Sequence, residues 1–156
     1  MKKFFLLVPI VLLIAVAVTA FDFMKSGANA SASDVELHFI EHGTAIKQIT
    51  VGTATDPRGN YIVFYDPVFD AADKNQVGNI SGTCLNTSNT VQECHFTLIL
   101  PKGQITAEGP FTSGNPVATL AITGGTGIYD EIKGEVVQKT ITTPAGLEFD
   151  LTFNVD

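Results

Sequence analysis

The clearest pattern in the chain lies at its end. Leu147, Phe149, Leu151, Phe153 and Val155 fall on one face of an extended run, and Glu148, Asp150, Thr152 and Asn154 on the other. A period of two with one apolar side marks a strand that covers a core on one face. The same period starts at Asp34, where Val35, Leu37 and Phe39 oppose Glu36, His38 and Ile40. Glu41 continues the apolar face. A carboxylate in that row implies either a bulged strand or a working group, because burying a charge is costly.

Between these ends the chain alternates strand-like runs with turn signals. Ile46 to Val51 is a short β-like run, followed by the turn Asp56-Pro57-Arg58-Gly59-Asn60. Tyr61 to Asp66 is rich in aromatic and β-branched residues, and Pro67, having no N–H, is expected to end it. Val68 to Gln76 then reads as a loop. Val77 to Thr87 and Val91 to Leu100 form a hairpin around Asn89, with Cys94, Phe96, Leu98 and Leu100 on one face. Gln104 to Phe111, Val117 to Thr123 and Ile132 to Thr143 complete the set. No segment after the N-terminal region holds a helical period over ten or more residues. Eight to nine short strands at 8–14-residue spacing predict an all-β barrel or sandwich. Closure into a barrel would remove the exposed sheet edges.

Leu120 to Val137 contains Gly124, Gly125 and Gly127 within four positions. A phosphate cradle would need Gly-x-Gly-x-x-Gly opening a helix, or a Lys-Ser/Thr after the glycines. Asp130 stands where the third glycine should be, no such lysine pair follows, and the next run is strand-like. The cluster therefore reads as a tight connection between two strands.

The first residues follow another rule. Lys2 and Lys3 precede an uncharged run from Phe4 to Ala20, the layout of a secretory signal. Small residues at cleavage spacing occur at Val18-Thr19-Ala20 and at Ala28-Asn29-Ala30. An uncleaved anchor is the alternative, since roughly 17 apolar residues are near the lower limit for a membrane span. We therefore divide the chain into residues 1–30, signal or anchor with its stem, and residues 31–156, one domain. The product would be secreted or extracytoplasmic, meeting a membrane only through an uncleaved N-terminal segment. The formal charge is −7, and without residues 1–30 it becomes −9, six cationic against fifteen acidic side chains. Such a surface disfavours nucleic acid, which needs a basic patch.

Cys84 and Cys94 are the only cysteines. The hairpin around Asn89 would set them opposite one another, where Cβ atoms are about 4.5–5.5 Å apart and a bridge is within reach. The alternative is two small buried hydrophobes. Asn79-Ile80-Ser81 and Asn86-Thr87-Ser88 are glycosylation sequons, used only in a eukaryotic secretory pathway.

Three segments carry a resemblance. Gly59-Asn60-Tyr61-Ile62-Val63-Phe64-Tyr65-Asp66-Pro67 resembles the strand-to-loop segment of dirigent proteins. Gly103 to Phe111 and Leu120 to Tyr129 resemble allene oxide cyclases. The resemblance covers most of Leu37 to Val155. It implies an eight-stranded antiparallel closed barrel with an apolar interior, and association into a homodimer or homotrimer. It also implies site residues. Allene oxide cyclases polarise a fatty-acid epoxide with a buried glutamate near the first strand, and Glu41 is similar in position. Their asparagine position is occupied by Asp66 here. A cysteine after Gly82-Thr83 matches, as Cys84. Dirigent proteins steer the coupling or closure of reactive phenolic intermediates, with pocket aspartates as acids or bases, and Asp66 matches one of these. Their usual arginine after the glycine segment is Lys133 here, which lacks the bidentate fork.

Glu41 and Asp66 are thus the candidate catalytic pair. A carboxyl in an apolar cavity holds its proton to higher pH and can donate it near neutrality. Phe39, Phe64, Phe96, Phe149 and Phe153 are the expected pocket lining, with Tyr61 and Tyr65 as further core or lining residues. No metal or cofactor is expected. His38 and His42 would suit one helix face, but four residues along a strand separate them by roughly 13 Å. The expected partner is a small apolar molecule, whose cyclisation, isomerisation or coupling the barrel would steer. The alternatives are a non-catalytic binding barrel and a structural module at the cell surface.

Overall fold

The computed structural model describes residues 35–156. The signal or anchor segment, its two cleavage candidates and the stem lie outside the described residues. Nine strands follow in chain order: β1 Val35–Gly43, β2 Ile46–Ile49, β3 Tyr61–Asp70, β4 Gln76–Asn86, β5 Val91–Leu100, β6 Gly103–Thr112, β7 Val117–Gly125, β8 Gly134–Thr143 and β9 Gly146–Val155. All pair antiparallel. The order is β1-β9-β8-β7-β6-β5-β4-β3, and pairing of β1 with β3 closes the ring. The result is a closed eight-stranded barrel with β2 as an extra strand, the architecture the family resemblance implies and one of the two all-β forms that alternation and turn spacing predict.

The seam of the ring decides where the site lies. Along β3, β1 pairs only with Val68 to Asp70, and β2 pairs with Tyr61 to Phe64. Thr44 and Ala45 interrupt what would otherwise be one strand, so residues 65–67 of β3 face no strand on that side. This corrects the reading of Pro67. The strand does not end there: it continues to Asp70 with Pro67 opposite Asn79, and a register shift follows at Val68/Phe69. A half-edge of this kind, next to a bulge, is where a sheet accommodates a residue without N–H. Tyr61 and Tyr65 are corrected as well. They occupy the outward positions of β3 and are 41% and 55% exposed.

One end of the barrel is filled. Val68, Ile80, Leu98, Ile105, Leu120, Val136, Leu151 and Phe153 form a belt of inward side chains, each no more than 1% exposed. The glycine cluster lies below it. β7 ends at Gly125, and a single 3-10 turn, Gly127–Tyr129, leads back toward β8. Gly127 has φ 67°, and a Cβ on it would collide with the Lys102 carbonyl. That carbonyl accepts a hydrogen bond from Ile128 N at 3.1 Å. The close approach lets Tyr129 and Ile132 pack against the core.

The other end carries the β4–β5 hairpin, and Cys84 and Cys94 are bridged there. They face each other in register with Cα atoms 4.0 Å apart. The sequence separation is 10, so the closed loop is short. Loss of the bridge is expected to lower the unfolding free energy by about 2–3 kcal/mol through freedom regained by the unfolded chain. Urea titration of oxidised protein against a Cys84→Ser/Cys94→Ser variant measures this. Equal midpoints would show that the bridge adds nothing to stability.

Candidate active-site cavity and acid pair

Above the core belt the barrel opens into a cavity of about 280 Å³. Its wall is built by residues of most strands of the ring: Glu41 on β1, Phe149 on β9, Gln138 and Thr140 on β8, Phe111 on β6, Phe96 on β5, and Ile62 and Phe64 on β3. Ile46 of β2, Leu147 and the β6–β7 connection around Gly114 form the rim, and both bridged cysteines lie in the wall. The lining is mostly apolar with a few polar groups, the usual composition of a small-molecule site. One glycine shapes it. A Cβ on Gly82 would collide with the tip of the Phe64 ring, so glycine there leaves room for that ring.

Glu41 faces this space at 3% exposure. Burial raises its pKa from 4.5 to about 8, and the charge of Asp66 adds to the shift. At neutral pH the group is therefore a carboxylic acid, able to donate a hydrogen bond or a proton.

Asp66 is fully buried. It sits where the β1–β2 seam is broken, and its Oδ1 completes that seam. Thr44 N donates to it at 2.7 Å, Ala45 N at 2.6 Å and Thr44 Oγ1 at 3.3 Å. Its Oδ2 is buried without a hydrogen-bond partner. The carboxylate thus takes the place of the strand that β3 lacks, while its charge acts on Glu41.

The structure separates the expected site residues. Glu41, Phe64, Phe96, Phe149, Cys84 and Cys94 share the cavity wall. Asp66 is not part of the lining. Phe39 and Phe153 are not either, because they lie deeper along β1 and β9, where the interior is packed solid. Their rings meet edge to face, with centroids 6.0 Å apart and planes at 81°. His38 and His42 are taken up elsewhere, by Asp150 at 2.9 Å and Asp73 at 2.7 Å. Gln92, Phe111, Gln138 and Thr140 were not anticipated from the sequence. A signal for Gln138 and Thr140 existed, since both continue the inward row of Val136 along β8.

No protein-family model matches the chain, and no curated protein matches it by sequence. Solved structures do match. A pyocyanin demethylase superposes with a TM-score of 0.64 at 28% identity, covering 75% of this chain and 98% of its own. A pterocarpan synthase dirigent protein gives 0.60 at 16% identity, covering 80% and 97%. AbnU, an exo-specific intermolecular Diels-Alderase, gives 0.62 at 17% identity, covering 80% and 98%. The chain therefore carries the same closed β-barrel fold as the pyocyanin demethylase, the dirigent protein and the Diels-Alderase.

Proposed function

We propose that the cavity binds a small, largely apolar molecule and steers its cyclisation, isomerisation or coupling, with Glu41 as the acid. The observation that carries this reading is a buried carboxyl facing a mostly apolar cavity above the filled end of the barrel. Most of the effect would come from holding the substrate in a reactive conformation, because orientation alone removes much of such a barrier. Glu41 would polarise an oxygen of the substrate. Asp66 would act as a positioning residue, fixing the seam beside Glu41 and keeping its proton in place. The folds shared with a dirigent protein and a Diels-Alderase support this class of chemistry. The bridge between Cys84 and Cys94 fits an oxidising, extracytoplasmic compartment.

The test is to isolate the full chain from the cells that make it and to identify co-purifying small molecules by mass spectrometry. Each is then returned to the empty protein to follow conversion. Pyocyanin belongs in the same panel, given the 28% identical demethylase structure. Retention and conversion of a small molecule are expected. A barrel that emerges empty and retains nothing overturns the reading, and capture without conversion makes this a binding barrel instead.

A further inference from the structure

We infer that the cavity takes an elongated, non-anionic ligand with a hydrogen-bond acceptor at the Glu41 carboxyl and a second polar group at the Gln138 amide. The inference rests on the binding reading above and narrows it to a class of molecule. Among the described residues, none of those lining the cavity is lysine, arginine or histidine. An anionic ligand would therefore enter without a counter-charge, in a protein of formal charge −7. Burying an unpaired charge is strongly unfavourable. A carboxylate or phosphate group is accordingly excluded from the cavity.

The two polar contacts are set by register. Glu41 pairs with Phe149, and Phe149 with Thr140, so the three share one row across β1, β9 and β8. Gln138 lies two residues deeper on β8, is 7% exposed and lines the cavity. Two strand spacings across and two residues along the strand separate its backbone from that of Glu41, about 12 Å. The Gln138 amide lies in the cavity wall and offers both a donor and an acceptor to a hydrogen-bond partner. A ligand spanning the cavity supplies one there and another at Glu41.

The groups facing Glu41 are few. From β3 it meets Asp66 and Val68, from β9 Phe149, and from β2 Ile46. Asp66 is the one titratable group among these. Glu148 and Asp150 of β9 occupy the alternate, outward positions. Donation to the ligand should therefore follow the Glu41 proton, which is lost near pH 8.

Prodan is a suitable probe. It is a neutral naphthyl ketone with its carbonyl and amine at opposite ends of the ring system, and its emission shifts to the red when the carbonyl accepts a hydrogen bond. The comparison probe is the dimethylaminonaphthoate of the same ring system, which is an anion. The full chain should bind prodan with emission to the blue of the free probe in water but to the red of the probe in a hydrocarbon solvent, and leave the naphthoate in solution. Prodan affinity should fall about tenfold as pH rises past that of the Glu41 proton. Glu41→Gln, which keeps a donor, should retain prodan and lose the pH dependence. Gln138→Leu should weaken prodan severalfold. Equal binding of both probes overturns the charge assignment and leaves the binding reading standing. PH-independent binding overturns the contact with Glu41, and unchanged affinity in Gln138→Leu overturns the second contact. Binding of neither probe overturns this inference, and the broader reading then stands or falls on co-purification.

Discussion

Glu41→Gln is expected to slow conversion of the natural substrate by about 10²–10⁴-fold, the usual contribution of a positioned acid. Binding should change little, because glutamine has nearly the same shape and still donates a hydrogen bond. The loss belongs in turnover, since an amide cannot release a proton to the developing product. The same substitution carries an independent signature in stability. In the unfolded chain Glu41 ionises near 4.5, whereas in the barrel it holds its proton to about 8. A raised folded pKa contributes stability that is complete below the unfolded pKa and is lost as pH climbs through the folded one. Urea midpoints of the wild-type protein should therefore decline between those two values and then level off. In Glu41→Gln this contribution to the decline should vanish. Undiminished turnover together with an unchanged pH profile would remove Glu41 from the mechanism.

Asp66→Ala should produce the largest loss of stability, roughly 3–5 kcal/mol. Truncation removes the acceptor for Thr44 N and Ala45 N at the interruption between β1 and β2. It also leaves a void where a fully buried side chain stood. Asp66→Asn keeps an oxygen in the Oδ1 position and should cost much less. It should also lower the Glu41 pKa, because the neighbouring negative charge is gone. Chemical denaturation of the two variants, with carboxyl titration of Glu41 in Asp66→Asn, separates the roles. An alanine variant as stable as the asparagine one would show that the seam does not depend on this side chain.

Much of this arrangement is written in the sequence. The rows of β1 and β9 are legible because each strand has one wet and one dry face. Glu41 stands out because it breaks the apolar row without shifting the period. The bridge follows from a hairpin whose centre places Cys84 opposite Cys94. What could not be read is depth along the barrel axis. Alternation tells which face a residue occupies, but not how far down a filled interior it lies. Phe39 and Phe153 therefore looked equivalent to Phe64 and Phe149, and only packing distinguishes plug from wall. The seam was hidden for a related reason. Asp66-Pro67 carries the local signature of a turn, yet the β4 partner holds the strand extended through it. Gln138 was overlooked because a polar residue on an inward face is informative only once the interior is known to be hollow there.

The broken seam has a consequence for how such a barrel could change over generations. Asp66 holds the backbone together and sets the field felt by its neighbour, so its replacement puts the whole fold at risk. Glu41 projects from an intact stretch of β1 and supports no backbone contact, so exchange there costs the scaffold little. New reactivity would thus be sampled at the cavity-facing acid while the anchor behind it stays fixed. A lineage could try many reagents at one position of the ring without having to reinvent its closure.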